Sequence, residues 1–197
     1  MKTKNMFYAL IATVLSVFSL SLTACGDDND EPDMPDTWET TYTISVTFHQ
    51  DFLDAADITA HIAKPDGTFA TEAVMNKNTS WTLTGNKIPD KAGIAFTFAP
   101  KSNIDPDHVY NLGTKGTITT KSIKNGEGFM TKSSSVGSEN MSVKGNRVAE
   151  YITGKGIAMA SGVNAEGEII KVDTKDFDFG LNGVWEWLAG VLTGADQ

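Results

Sequence analysis

Between residues 41 and 49 apolar and polar side chains alternate without a break. Tyr42, Ile44, Val46 and Phe48 fall on one face, and Thr41, Thr43, Ser45, Thr47 and His49 on the other. A period of two is the repeat of a β-strand with one face buried and one wet. Residues 50–56 break the pattern, and residues 57–63 resume it with Ile58, Ala60 and Ile62. Lys64-Pro65-Asp66-Gly67 then predicts a turn, because proline presets φ at the first corner and glycine accepts a positive φ later. Residues 69–75 read as the partner strand.

The same reasoning gives a strand over 79–84, with Trp81 and Leu83 on one face, and another carrying Ile94, Phe96 and Phe98 up to Pro100. Residues 109–112 and 117–123 continue the series. Asn125-Gly126 is a strong hairpin signal, since a type I′ turn needs φ > 0 at both central positions. The serine-rich stretch 132–140 has no apolar ladder and is expected to be a mobile loop. Strand-like pieces return at 141–143 and 157–160, and Asn164-Ala165-Glu166-Gly167 predicts a hairpin connection into 168–172. Residues 148–152 fit either a helical turn or a strand.

About nine short strands, with turn signals every 8 to 15 residues and no long amphipathic helix, describe an all-β fold. The expected architecture is an antiparallel β-sandwich, immunoglobulin-like or transthyretin-like, spanning 41–176. Beyond it, 177–197 is apolar, and Val184, Leu188, Val191 and Leu192 share one helical face with Asn182 as a candidate N-cap. A short C-terminal helix packed on the sandwich is expected there.

The N-terminus follows a different logic. Lys2 and Lys4 precede an apolar run from Met6 to Leu22 interrupted only by Thr13, Ser16, Ser19 and Ser21, and no acid occurs before Asp27. That is the build of a cleaved secretory signal helix; the run is too short and too punctuated for a spanning anchor. Leu22-Thr23-Ala24-Cys25 resembles the lipobox of bacterial lipoproteins. The resemblance implies a signal peptide over 1–24 and lipidation of Cys25, whose fatty chains would anchor the protein on a membrane without crossing it. The acidic residues Asp27, Asp28, Asp30, Glu31 and Asp33 that follow resemble the export signal of Bacteroides-type surface lipoproteins. They imply display on the outer face of the outer membrane, with the periplasmic face as the alternative. Physically, residues 25–40 read as a solvated acidic tether.

The chain carries 16 basic and 25 acidic residues, for a net charge of −9. Such a field repels phosphate backbones, so nucleic acid is not an expected partner. Cys25 is the only cysteine, so an internal disulfide is excluded, and its lipidation would leave no thiol for zinc or nucleophile chemistry.

The remaining constellations are thin. His49 and His61 invite a zinc proposal if their strands are neighbours, but a metal site needs three or four converging ligands. Asp173 with Asp176 and Asp178, and Asp105 with Asp107, offer oxygens to calcium, but the first cluster lacks the spacing and central glycine of an EF-hand loop, and both read as solvated loop ends. Gly-x-Ser-x-Gly is absent, and Ser133–Ser135 have no histidine nearby in sequence. The glycines form neither a Walker loop nor a dinucleotide turn. No metal or cofactor site is assigned. Trp38, Trp185 and Trp187 are the indoles expected to reach a ligand, because exposed indoles stack on sugar rings, whereas Trp81 alternates with core residues. The sequence thus reads as a non-catalytic binding module on a lipid anchor, with a glycan or protein partner. The alternative is a structural or assembly subunit of the cell envelope, with the apolar tail as its docking element.

Overall fold

The computed structural model describes residues 35–153, 155–177 and 179. In chain order its elements are β1 (Trp38–Phe48), α1 (Gln50–Ala55), β2 (Ala56–Ala63), β3 (Phe69–Val74), β4 (Asn78–Gly85), β5 (Asp90–Pro100), β6 (Val109–Asn111), β7 (Thr114–Lys124), β8 (Glu127–Ser138), β9 (Ser142–Lys144), α2 (Gly145–Ile152), β10 (Gly156–Val163) and β11 (Ile169–Ile170), followed by a 3₁₀ turn at Thr174–Asp176. The fold is an antiparallel all-β sandwich. One sheet has the order β4-β1-β7-β8, the other β11-β10-β5-β2-β3, and β6 pairs with β9 in a small third sheet.

The alternation in β1 works as the sequence pattern demands. Tyr42, Ile44 and Phe48 have no exposed surface, while the hydroxyls between them face outward. Across the interior stand Ile58, Ala60 and Ile62 of β2 and Ile94 and Phe96 of β5. Phe48 meets Phe96 edge to face at 5.4 Å and Phe52 at 5.8 Å, the arrangement that ring quadrupoles favour.

Three hydrogen bonds tie the sheets together inside this apolar layer. The Thr40 and Tyr42 hydroxyls of β1 each donate to the Asp90 carboxylate of β5 at 2.5 Å, and Thr120 of β7 donates to Ser161 of β10 at 2.7 Å. A buried carboxylate without such donors would be costly. Burial dominates, and it holds Asp90 above the usual carboxylate range despite the two hydroxyls; burial likewise pushes the Tyr42 phenol up.

Several sequence expectations shift. β1 starts at Trp38 and not at residue 41; just before it, Asp36 is held by Lys124 at 2.7 Å, and the Asn125 side chain accepts from the Thr37 amide. Residues 50–55 form a helix, and α1 carries the chain from one sheet to the other, so β1 and β2 are not hairpin neighbours. Residues 145–152 are helical.

The largest correction concerns 132–140. Instead of a loop, most of it belongs to β8, a twelve-residue edge strand paired with β7 along its length. Serines replace an apolar ladder because, among the described residues, most of this edge strand is left exposed. On its outer side Ser135 and Ser133 bond Thr117 and Thr119 at 2.9 and 2.8 Å, which gives the strand polar cross-strand partners in place of packing.

The hairpin at Asn125-Gly126 forms as expected, with φ of 52° and 81°. At the C-terminal end Phe177 and Phe179 are buried against Ala63, Ala95 and Ala158 on the outer face of the five-stranded sheet. The apolar tail thus begins by docking on the sandwich; the expected helix lies outside the described residues.

Candidate functional site

The two sheets are out of step at one corner. β10 packs over β7, and β11 is the strand that reaches across toward β8. β11, however, pairs with β10 only at Gly162 and Val163. After Ile170 the chain leaves the sheet, and the Val172 side chain folds over the bare Cα of Gly162. Along residues 156–161, therefore, no strand among the described residues pairs with the outer edge of β10. β8, the edge of the facing sheet, is likewise uncovered: eleven of its twelve residues are exposed and Val136 is half-buried.

Between these two edges runs a groove. Its main cleft has a volume of about 670 Å³, with Ile118 and Met159 below, Lys132–Val136 on one wall, Ala158–Ser161 on the other and Lys171–Lys175 closing one end. A second cleft of about 440 Å³ shares Ser135 and Val136 with the first and continues past Gly156 and Ile157 to Ile152, Tyr151 and Phe98.

Two features mark the groove chemically. Lys132, Lys171 and Lys175 line the main cleft and Lys155 the second, and none of the four lies within ion-pair distance of a carboxylate among the described residues. Lys155 instead sits over the Tyr151 ring, 3.5 Å from its centre. On a chain of net charge −9 this is a local positive strip. In addition, the Thr114 hydroxyl, which lines the second cleft, is buried without a hydrogen-bond partner among the described residues. An unmet buried hydroxyl costs free energy that a bound polar group would recover.

The residues singled out from sequence lie elsewhere. Trp38 is half-buried, edge-on to Phe129 at 5.2 Å, with its indole over the Cα of Gly167. Trp185, Trp187 and Cys25 lie outside the described residues. Trp81 leans on the core, its indole N–H donating to Glu72 at 2.9 Å.

His49 and His61 stand in different sheets. His49 caps α1, accepting from the Asp51 amide at 3.3 Å. His61 bonds Thr97 at 3.0 Å, and burial holds its imidazole below the usual range. His108 lies edge-on to Tyr110. Asp105 and Asp173 bond backbone amides of their own turns; Asp178 lies outside the described residues. Among the described residues no three histidines or carboxylates converge.

A further cleft of about 580 Å³, bordered by Glu39, Asp66, Lys87 and Asp90, opens where the Asp90 carboxylate meets Thr40. Asp90 already accepts from two hydroxyls and Asp66 from the amide and hydroxyl of Thr68, so the cleft offers less unmet chemistry than the groove. Sequence reasoning missed the groove because its walls are serines and its floor is core. Residues 157–160 and 168–172 read from sequence as pieces of similar length, so nothing there signals that the second strand pairs only at Ile169 and Ile170.

No protein-family model matches the chain, and no curated protein matches it.

Proposed function

We propose that this protein is a lipid-anchored lipoprotein of the outer membrane, displayed at the cell surface, whose β-sandwich is a non-catalytic binding module. The single observation that carries the binding role is the open groove between β8 and β10, whose lysines have no ion-pair partner and whose Thr114 hydroxyl has no hydrogen-bond partner among the described residues. A surface that holds unpaired charge and a desolvated donor around a cavity is built for a ligand. The anchoring role rests on the lipobox-like Leu22-Thr23-Ala24-Cys25 and the acidic tether after it. Fatty chains on Cys25 partition into a bilayer at about 0.8 kcal/mol per methylene, so two or three of them hold the protein durably.

Mass spectrometry of the membrane-extracted protein should show an N-terminal acylated cysteine at position 25, and Cys25→Ser should move the protein into the soluble fraction. An unmodified thiol there would end the anchoring proposal. Whole-cell protease digestion separates the two faces of the membrane: cleavage on intact cells supports surface display, and protection supports the periplasmic leaflet. For a sugar ligand, a glycan array is the direct measurement. Binding that Trp185→Ala and Trp187→Ala leave intact would remove the tail indoles from that role.

The second reading, a structural or assembly subunit of the envelope, is favoured by the uncovered edges of β8 and β10. Free strand edges are the usual points at which one sheet extends another.

A further inference from the structure

We infer that the groove is a strand-addition site: an extended acidic segment of a partner protein pairs with the free edge of β10 and lies across the inner face of β8. The inference rests on the binding-module reading and names its partner. Residues 156–161 form a run about 20 Å long at the strand rise of about 3.4 Å per residue, paired to β5 on one side and to no described strand on the other. The backbone N–H and C=O groups of that edge that point away from β5 are the recognition element, because every extended peptide can meet them. β11 shows that the edge accepts a strand, since Ile169 and Ile170 pair there before the chain turns away.

Side-chain chemistry selects among peptides. Ile118 and Met159 present an apolar floor, so alternate side chains of the guest are small or apolar. Lys132, Lys171 and Lys175 surround the main cleft and Lys155 the second, against one acid, Asp173, whose carboxylate already accepts from the Lys175 amide. Carboxylates toward both ends of the guest complete that strip. In the second cleft, which Thr114 lines, a polar group of the guest bonds the Thr114 hydroxyl. Electrostatic complementarity of this kind governs encounter rate and rejects basic competitors.

The test uses the full chain in detergent and a displayed library of short peptides with glutamate fixed at both ends and the central positions randomised. Enriched peptides should alternate in polarity and protect the amides of 156–161 from hydrogen exchange. Lys132→Glu with Lys171→Glu and Lys175→Glu should weaken them by about tenfold or more at low salt, with an unchanged circular dichroism spectrum. The same peptides N-methylated at alternate amides should fail to bind.

Four outcomes overturn the proposal. They are an unenriched library, binding without protection of 156–161, equal affinity of the N-methylated peptides, and prior protection of 156–161 in the free chain that is lost on deleting residues 181–197 or on diluting a dimer. The last would assign the edge to the chain's own tail or to a second copy. An unenriched library with a positive glycan array would remove strand addition and leave the binding module standing.

Discussion

At the scale of single residues the interior polar groups are the most sensitive points. Asp90 is buried, and its pKa is raised in the folded chain by desolvation. The folded state therefore holds a proton that the unfolded chain releases at lower pH, so this group favours folding at acid pH, and the advantage is lost as pH rises through the folded pKa. Comparing thermal unfolding of the native chain with Asp90→Asn across pH 4 to 7 should show the native chain losing ground to the variant as pH rises; parallel curves would refute the linkage. Thr114→Val deletes the unmet hydroxyl while keeping its shape, and should raise stability by about 1 kcal/mol in urea titrations while weakening peptide binding. Gly167 works in the opposite sense. Its φ is +82°, and a Cβ there would collide with the Trp38 ring. Gly167→Ala is expected to cost about 2 kcal/mol, read from the urea midpoint.

At the scale of elements, legibility follows burial. β1, β5 and the β2–β3 hairpin were visible because their inward positions carry Tyr42, Ile44, Phe48, Ile62, Ile94 and Phe96, side chains that only a buried face retains. β8 was invisible for the complementary reason. As an edge strand with an uncovered face it needs hydroxyls rather than Val or Ile, and in sequence that resembles a loop. The groove inherits this opacity, since its defining property is a strand that stops after Ile170, and no residue motif encodes an absence. Of the apolar tail, the described residues include Phe177 and Phe179, which dock on the outer face of the five-stranded sheet; its indoles lie outside them. Phe179 is almost wholly buried over Gly93, Ala95 and Ala158. Phe179→Ala should therefore cost about 3 kcal/mol in denaturant titration, with no effect expected if the aromatic merely brushes the sheet.

At the scale of the whole molecule, two arrangements divide the work. On the proposed anchoring, the acidic segment after Cys25 tethers the protein to a membrane, and the sandwich presents the groove at an edge of both sheets at once. Net negative charge repels an acidic surface over the range of a Debye length, about 8 Å at physiological salt, while the lysine strip attracts an acidic segment that comes within it. Association of the enriched peptides should accordingly slow with added salt more than their dissociation quickens, measurable by stopped-flow anisotropy.

β1 lies inside its sheet, between β4 and β7, although it comes first in the described domain. Ile44 must wait for Ile118 to be delivered. If the chain is exported as proposed, the newly emerged segment would present Tyr42, Ile44, Val46 and Phe48 to water until β2 and β5 of the facing sheet arrive, some fifty residues on. Closure of so distant a pairing belongs to the slow, millisecond-to-second regime. A holdase on the far side that shields this one segment would do more for the yield of folded protein than any later assistance.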